Sequence, residues 1–334
     1  QMIRPIAMNR SAALSTDAQA WMQGNARVKA WEWGFWALAF ALPWLWPSHS
    51  LLVNEVAITA LFAVSLDLIL GYTGIVSLGH AAFFGFGAYC AALFAKHLHP
   101  DPMLGLLVGT AAAGVLGAVF SLSILRGSDL TRLMVTLGAC LLLGELANKL
   151  DWLTGGADGL QGVMMGPVLA TFDFDLMGQV AAWYSLAVLL LLFGLSRRLV
   201  HSPLGASLVA IRDNRLRAMA IGVPVNARLA LVYALAAAMA GAAGSLQAQT
   251  TGFASLDVFG LDRSADLLLM LVIGGTGWLY GGVFGAVAFK LMQSVISGWT
   301  PQYWTFWIGL FLVVLVLVGR ERLFKPWTWW RSKA

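Results

Sequence analysis

The chain has 334 residues, of which 59% are hydrophobic and 11% are charged, and its formal net charge is +5. Soluble domains hold about 25% charged residues, so this composition is typical of a polytopic membrane protein. The positive charge does not indicate nucleic-acid binding, because the basic residues fall between apolar runs rather than on one soluble patch. Cys90 and Cys140 both lie inside apolar runs, and they predict neither a disulfide framework nor a metal site.

Apolar runs recur along the whole chain, and a membrane-spanning helix needs about 20 such residues. They predict an all-α polytopic membrane protein of about ten transmembrane segments, some of them broken or re-entrant at glycines. The predicted segments are Trp31–Trp46, Leu51–Leu70, His80–Lys96, Met103–Leu125, Leu130–Leu150, Gly178–Leu195, Leu229–Ala248, Asp266–Gly274, Gly281–Gly298 and Tyr303–Val318. We expect a polar N-terminal tail over 1–29 that is not a signal peptide, a transmembrane domain over 30–320 and a basic tail over 321–334.

The distribution of lysine and arginine predicts the orientation of these segments. Basic residues concentrate in both tails, in the turn after the fourth segment and in the connection 196–228. The remaining loops carry mostly aspartates, namely Asp101, Asp151, Asp158, Asp173, Asp175, Asp257 and Asp262. Because cytoplasmic loops are enriched in lysine and arginine, we expect both termini and the connection 196–228 in the cytoplasm.

The stretch Gly71–Gly87, GYTGIVSLGHAAFFGFG, contains five glycines between two apolar runs. Glycine costs up to about 1 kcal/mol against alanine in a helix interior, so a straight lipid-facing helix is not expected here. A displacement of 203 residues places Leu68–Gly79 over Leu271–Gly282, although chance similarity in a chain with 36 glycines is the competing explanation. Interrupted segments at corresponding places in two halves predict a translocation pathway. The glycines assigned to it are Gly71, Gly74, Gly274, Gly275 and Gly277.

The connection 196–228 contains the signals of a surface helix. Ser202-Pro203 is an N-cap followed by proline at the first helical position, and Gly222 followed by Val223-Pro224 is a stop. Apolar and basic residues between them recur at near-helical spacing, with a break expected near Asp213-Asn214. Such a helix lies on anionic lipid or docks a cytoplasmic partner.

Three ionisable residues inside predicted segments need an explanation, because such groups are functional candidates by default. Asp67 is expected to pair with Arg126 or Arg132. Lys290 has no acid nearby in the sequence and either reaches the interface or lines a polar path. His80 is a pathway candidate that could bond a ligand or the broken backbone, but a buried structural histidine is the reading we favour.

Sequence motifs for catalysis are absent from the chain. No lysine follows a glycine, so the phosphate-binding loop G-x-x-x-x-G-K-[ST] is missing, and we do not expect this chain to hydrolyse ATP. The chain also lacks H-E-x-x-H, C-x-x-C and G-x-S-x-G. These absences favour a transport protein over an intramembrane enzyme.

Four stretches carry a resemblance to a known family. They are GYTGIVSLGHAAFFGFGAY, MVTLGACLLLGELANKLDWLTGGADGLQGV, SPLGASLVAIRDNRLRAMAIGVPV and LLMLVIGGTGWLYGGVFGA, which begin at Gly71, Met134, Ser202 and Leu268. In this order the chain resembles the permease subunits of branched-chain amino acid (LIV-type) ABC importers, of the M-like rather than the H-like kind. The resemblance extends from about Val53 to Leu323.

This resemblance implies a subunit of a larger assembly in the bacterial inner membrane. The implied partners are a second, H-like permease subunit, two cytoplasmic ATPase subunits that bind ATP and Mg²⁺, and a periplasmic solute-binding protein. No cofactor is expected in this chain. The substrate would be a branched-chain amino acid, or urea, a short amide or an aromatic acid. A stand-alone secondary transporter or channel is the alternative, and a non-transporting scaffold is a weaker one.

The resemblance also implies roles for individual residues. The segment Ser202–Val225 would be the coupling helix that contacts the ATPase. Its assigned residues are Ser202, Pro203, Gly205, Arg212, Asp213, Asn214 and Arg215. Tyr72, Thr73, Ser77 and Thr276 would lie near the passage. Residues 154–159 would meet the binding protein.

Overall fold

The structure is a computed structural model, and it describes residues 29–124, 127, 129–169, 171–175 and 177–318. The predicted tails therefore lie outside the described residues, apart from Lys29. The described chain forms helices and two isolated β-bridges but no strand, which confirms the all-α prediction. The helices are α1 Ala30–Leu45, α2 Ser50–Thr73, α3 Ala81–His97, α4 Pro102–Ile124, α5 Asp129–Lys149, α6 Asp151–Thr154, α7 Gln179–Val200, α8 Pro203–Asp213, α9 Arg215–Ala220, α10 Val225–Thr251, α11 Leu261–Gly274, α12 Leu279–Trp299 and α13 Trp304–Val318.

A helix forms at each of the predicted membrane segments. In the described part of the chain, 6 helices are long and apolar enough to cross a membrane, namely α2, α4, α5, α7, α10 and α12. Three other helices at predicted segments, α1, α3 and α11, have 16, 17 and 14 residues. At 1.5 Å per residue they reach about 21 to 26 Å, which is less than the hydrocarbon thickness of about 30 Å. Helix α13 has 15 residues up to Val318, the last described residue.

Helices α2 and α10 form the centre of the bundle. In the most apolar stretch of 18 residues in each helix, 83% of the residues of α2 and 72% of those of α10 are buried. The corresponding fractions in α4 and α5 are 22% and 28%. Helix α10 packs on α2, α3 and α4, and α2 also packs on α7 and α12. Helices α4 and α5 therefore present apolar outer faces, which suit lipid or the helices of another subunit.

Small residues allow α3, α4 and α10 to approach closely. A Cβ added at Gly87 of α3 would lie 2.4 Å from the Cα of Gly241 in α10, and one at Gly109 of α4 would lie 2.7 Å from the Gly87 carbonyl oxygen. A Cβ at Gly244 would lie 1.9 Å from the carbonyl oxygen of Phe84. These contacts are the close backbone packing that small residues provide between membrane helices.

The basic and the acidic loops lie at opposite ends of the bundle. At one end, here called the basic end, α7 runs into α8 and α9, and Glu32 at the start of α1 pairs with Arg197. At the other, the acidic end, Leu160 pairs with Ala254 in a β-bridge and the Gly166 N–H donates to the Pro100 carbonyl at 2.8 Å. The fold thus separates charge along the bundle as the sequence predicts.

Candidate functional site

Both predicted breaks are present, and matched glycines produce them. Helix α2 ends at Thr73, followed by Gly74 with φ +73°, whose N–H donates to the Leu70 carbonyl at 3.1 Å. Helix α11 ends at Gly274, and Gly277 before α12 has φ +78°. Residues with a Cβ rarely adopt such φ values, so glycine is required at both positions. Gly74 and Gly277 occupy equivalent positions in the two aligned stretches.

The two breaks contact each other. The carboxylate Oδ1 of Asp67 in α2 accepts a hydrogen bond from the Gly277 N–H at 2.8 Å. A Cβ at Gly71 would lie 2.4 Å from the Gly277 nitrogen, so this approach also requires glycine. Asp67 therefore bonds to the backbone of the second break and not to Arg132. The other predicted partner, Arg126, lies outside the described residues.

Arg212 of α8 reaches the same place from the basic end. Its Nη1 donates to the Gly71 carbonyl oxygen at 2.6 Å. That carbonyl lies in the last turn of α2, where the end of the helix removes its N–H partner, and a cation there also favours the helix dipole. Asp67, Gly71, Arg212 and Gly277 together are called the break junction below. In it, the polar backbone that the breaks expose is satisfied by protein groups, as a membrane interior requires.

The local sequence determines the position of α8. Ser202 caps the helix, accepting from the Gly205 N–H at 3.5 Å, and Pro203 is the first helical residue. A Cβ at Gly205 would lie 1.9 Å from the Val200 carbonyl oxygen, so glycine permits the tight turn after α7. Asn214 separates α8 from α9 and caps α9, accepting from the Arg217 N–H at 2.9 Å. The predicted start and break of this surface helix are confirmed.

The predicted ATPase-contact residues differ in their surroundings. Arg212 bonds to Gly71 within the break junction, but its side chain remains 39% exposed. It also lies 3.4 Å from the Asp213 carboxylate. Arg215 donates to Asn226 Oδ1 at 2.9 Å. Asp213 is the most open, with 66% of its side chain exposed. Helix α9 and the turn after it add exposed apolar side chains at Leu216, Met219 and Ile221.

A cavity of about 620 Å³ opens beside the break junction at the basic end. Its walls come from α1, α2, α7, α8 and the residues that lead into α12. They include Trp31, Glu32, Tyr72, Phe193, Arg197, Ser202, Gly205, Gly277, Trp278 and Tyr280. Tyr72 and Gly277 are thus the predicted pathway residues that line it. In the wall, Glu32 pairs with Arg197 and accepts from the Tyr280 hydroxyl at 2.9 Å, and Lys29 adds a further positive charge.

Other predicted pathway residues lie away from this cavity. Ser77 and His80 are fully buried in the packed interior, and Thr276 is exposed. His80 Nε2 lies 2.8 Å from the Ser65 hydroxyl, which supports its reading as a structural histidine. The Thr73 hydroxyl donates to the Ile69 carbonyl at 2.6 Å within its own helix. The structure therefore brings together the first part of the Gly71–Gly87 stretch with the second break, and not its later part.

A second polar cluster lies between α2 and α12. Lys290 Nζ is 3.3 Å from the Glu55 carboxylate. Lys290 also borders a small cavity of about 40 Å³ that is lined by Thr59, Gln247 and Asp266 as well. The sequence gives no signal for this pair because the two residues are 235 positions apart. Among the described residues no group of His, Cys, Asp and Glu could hold a metal ion.

Comparison with known proteins identifies the family. A family model described as "Branched-chain amino acid transport system / permease component" matches residues 50–318. The chain is 26% identical over 321 residues to the high-affinity branched-chain amino acid transport system permease protein LivM of Escherichia coli, covering 87% of this chain and 74% of LivM. It is 22% identical to LivH of Escherichia coli, covering 78% and 88% of the two chains, and 29% identical to the autoinducer 2 import system permease protein LsrC of Yersinia pseudotuberculosis, covering 80% and 72%. No solved structure matches the chain. Since the family model covers most of the chain, this protein belongs to the family of branched-chain amino acid transport system permease components.

Proposed function

We propose that this chain is a transmembrane permease subunit of an ABC importer in a bacterial inner membrane. It forms part of the pathway for a branched-chain amino acid or a similar small solute, and ATP is hydrolysed in partner subunits. The family supports this role, as do the names of LivM and LivH, which are transport system permease proteins, and of LsrC, an import system permease protein.

The hydrogen bond from Arg212 of α8 to the Gly71 carbonyl is the observation that carries the proposal. Helix α8 belongs to a connection at the basic end, and its Arg212 side chain bonds to the Gly71 carbonyl 141 positions away. Through Gly71, α8 also adjoins Gly277 of the second break. A partner that moves α8 therefore moves the ends of both interrupted helices, which is what coupling to ATP hydrolysis needs.

The partners are assigned to surfaces by their chemistry. The ATPase subunits contact α8 and α9, where Asp213 and the exposed apolar residues of α9 lie. The basic end faces the cytoplasm, as the positive charge of its loops requires. The binding protein meets the acidic end near residues 154–159. A second, related permease covers the apolar outer faces of α4 and α5.

The topology has ten membrane segments. The six long apolar helices supply six of them, and α1, α3, α11 and α13 supply the other four.

Solute leaves through the cavity at the basic end. Its volume of about 620 Å³ lies in the range of small-molecule sites, and its walls combine aromatic residues with a matched acid and base. Such walls accept a small solute with both polar and apolar parts. Leucine, isoleucine and valine are the first solutes to assay.

The test is ATP-dependent uptake by the reconstituted assembly. The chain is incorporated into liposomes alone, and with a second permease, the ATPase subunits and the binding protein, and uptake of labelled leucine is measured. We expect uptake only in the full assembly with ATP, and none with a non-hydrolysable analogue. Uptake by the isolated chain under an ion gradient would instead identify a secondary transporter. Flux of the solute down its own concentration gradient, without ATP or an ion gradient, would identify a channel.

A further inference from the structure

Asp67 has one carboxylate oxygen that the break junction does not use. The side chain is fully buried, and its Oδ1 accepts from the Gly277 N–H at 2.8 Å. Its Oδ2 is buried without a hydrogen-bond partner among the described residues. A buried carboxylate oxygen without a donor is unfavourable, so this state of the chain leaves an acceptor unfilled.

Arg212 is the donor best placed to fill it. A guanidinium has five N–H groups, and Arg212 commits one to the Gly71 carbonyl at 2.6 Å, while its contacts with Asp213 are long, at 3.4 Å. The Asp67 carboxylate and the Arg212 guanidinium both border Gly277. A Cβ at Gly277 would lie 3.5 Å from Arg212 Nη1, and the Gly277 nitrogen bonds to Asp67. One glycine thus separates the cation from the unfilled acceptor.

We propose that Asp67 is a positioning residue that receives Arg212 in a second state of the chain. When α8 moves relative to α2, the guanidinium exchanges the Gly71 carbonyl for the Asp67 carboxylate. This proposal rests on the proposed function, because the movement of α8 is the one that the ATPase subunits impose. Arg212 has a charge-assisted bond in each state, and a partner that binds one position of α8 better shifts the population towards that state.

The exchange acts on both breaks at once. In the second state the last turn of α2 loses the cation at its Gly71 carbonyl, which frees the end of that helix. The carboxylate then accepts the Gly277 N–H through Oδ1 and the guanidinium through Oδ2, so α8 is joined to the second break through Asp67.

The experiment is a double-mutant cycle in the complete importer in proteoliposomes. Asp67→Asn keeps the side-chain size and an oxygen that can accept from Gly277, but it removes the charge that would receive Arg212. Solute uptake and the ratio of solute-stimulated to basal ATPase activity are measured. Since bonds to charged groups are the strong ones, we expect Asp67→Asn and Arg212→Gln each to lower uptake per ATP hydrolysed by about tenfold or more. The double variant should be no worse than either single variant.

The controls separate this inference from a structural effect. Arg198→Gln removes the same charge from an exposed residue of α7 and should leave the uptake per ATP unchanged. Arg212→Lys keeps the positive charge and should retain more uptake than Arg212→Gln. Because Arg212 is partly exposed, this comparison remains possible if Asp67→Asn fails to assemble.

Several results would overturn the inference while leaving the proposed function intact. One is uptake at the wild-type level in Asp67→Asn while Arg212→Gln is impaired. Another is a double variant in which the fold-loss of uptake per ATP equals the product of the losses in the two single variants. Equal uptake by Arg212→Lys, Arg212→Gln and wild type would also do so. By contrast, a wild-type assembly that shows no ATP-dependent uptake would refute the proposed function itself.

Discussion

Glu32 shows how a single buried side chain holds distant helices together. It lies in the first turn of α1, pairs with Arg197 near the end of α7 and accepts from the Tyr280 hydroxyl in α12. Only 4% of its side chain is exposed. The carboxylate therefore accepts two hydrogen bonds in a buried place, and bonds to a charged group are stronger than those between neutral groups.

We therefore expect Glu32→Gln to destabilise the purified protein by about 1.5 to 3 kcal/mol, because the hydrogen bonds from Arg197 and Tyr280 would lose their charged acceptor. The measurement is the thermal unfolding midpoint in detergent. Glu145→Gln is the matched control, since Glu145 pairs with Lys149 at 3.9 Å on the surface of α5 and both side chains are mostly exposed. Equal midpoints for the two variants would contradict the structural role of Glu32.

At the scale of helices, glycine contacts determine how tightly α3, α4 and α10 pack. The Gly87 position of α3 has backbone of α10 on one side, with the Gly241 Cα 2.4 Å from the place of a Cβ. A backbone neighbour cannot rotate away as a side chain can, so an added methyl group forces the helices apart.

Gly87→Ala is expected to cost about 1 to 3 kcal/mol of stability through overpacking, although alanine is the better helix former. The control is Gly194→Ala in α7, where a Cβ would meet nothing within 4 Å. That change should be neutral or stabilising by up to about 1 kcal/mol. Denaturant titrations of helical signal compare the two, and a Gly87→Ala variant as stable as Gly194→Ala would contradict the close packing.

For the whole molecule, the separation of charge predicts which end faces the cytoplasm. Asp213 of α8 lies at the basic end, and Met164, in the loop that packs on Pro100 and Phe253, lies at the acidic end. Both side chains are well exposed. Because lysine and arginine favour the cytoplasmic side, the two positions should be accessible from opposite sides of the membrane.

Labelling with a membrane-impermeant maleimide tests this orientation. In a background without Cys90 and Cys140, we expect Asp213→Cys to react in inside-out vesicles and Met164→Cys to react in right-side-out vesicles. Reaction of both cysteines in the same vesicles would rule out the proposed placement of the two ends.

Local sequence signals determined much of this protein. The apolar runs predicted where the helices lie, and the charges of the loops predicted which loops share an end of the bundle. Caps and glycines predicted where α8 begins and where the two breaks occur. These features depend on residues a few positions apart, as with Gly74, which ends α2, and Ser202, which starts α8. Composition and pattern therefore suffice to predict them.

Only the tertiary structure decided how the Gly71–Gly87 stretch is used. Its first residue, Gly71, lies against Gly277 of the second break. Asp67, just before the stretch, bonds to Gly277 across 210 positions, and Arg212 joins them from α8. The later residues Ser77 and His80 instead became part of the packed interior. The partner of Lys290 likewise comes from another helix. Such contacts depend on which helices pack together, and a periodic pattern in one helix carries no information about its neighbour.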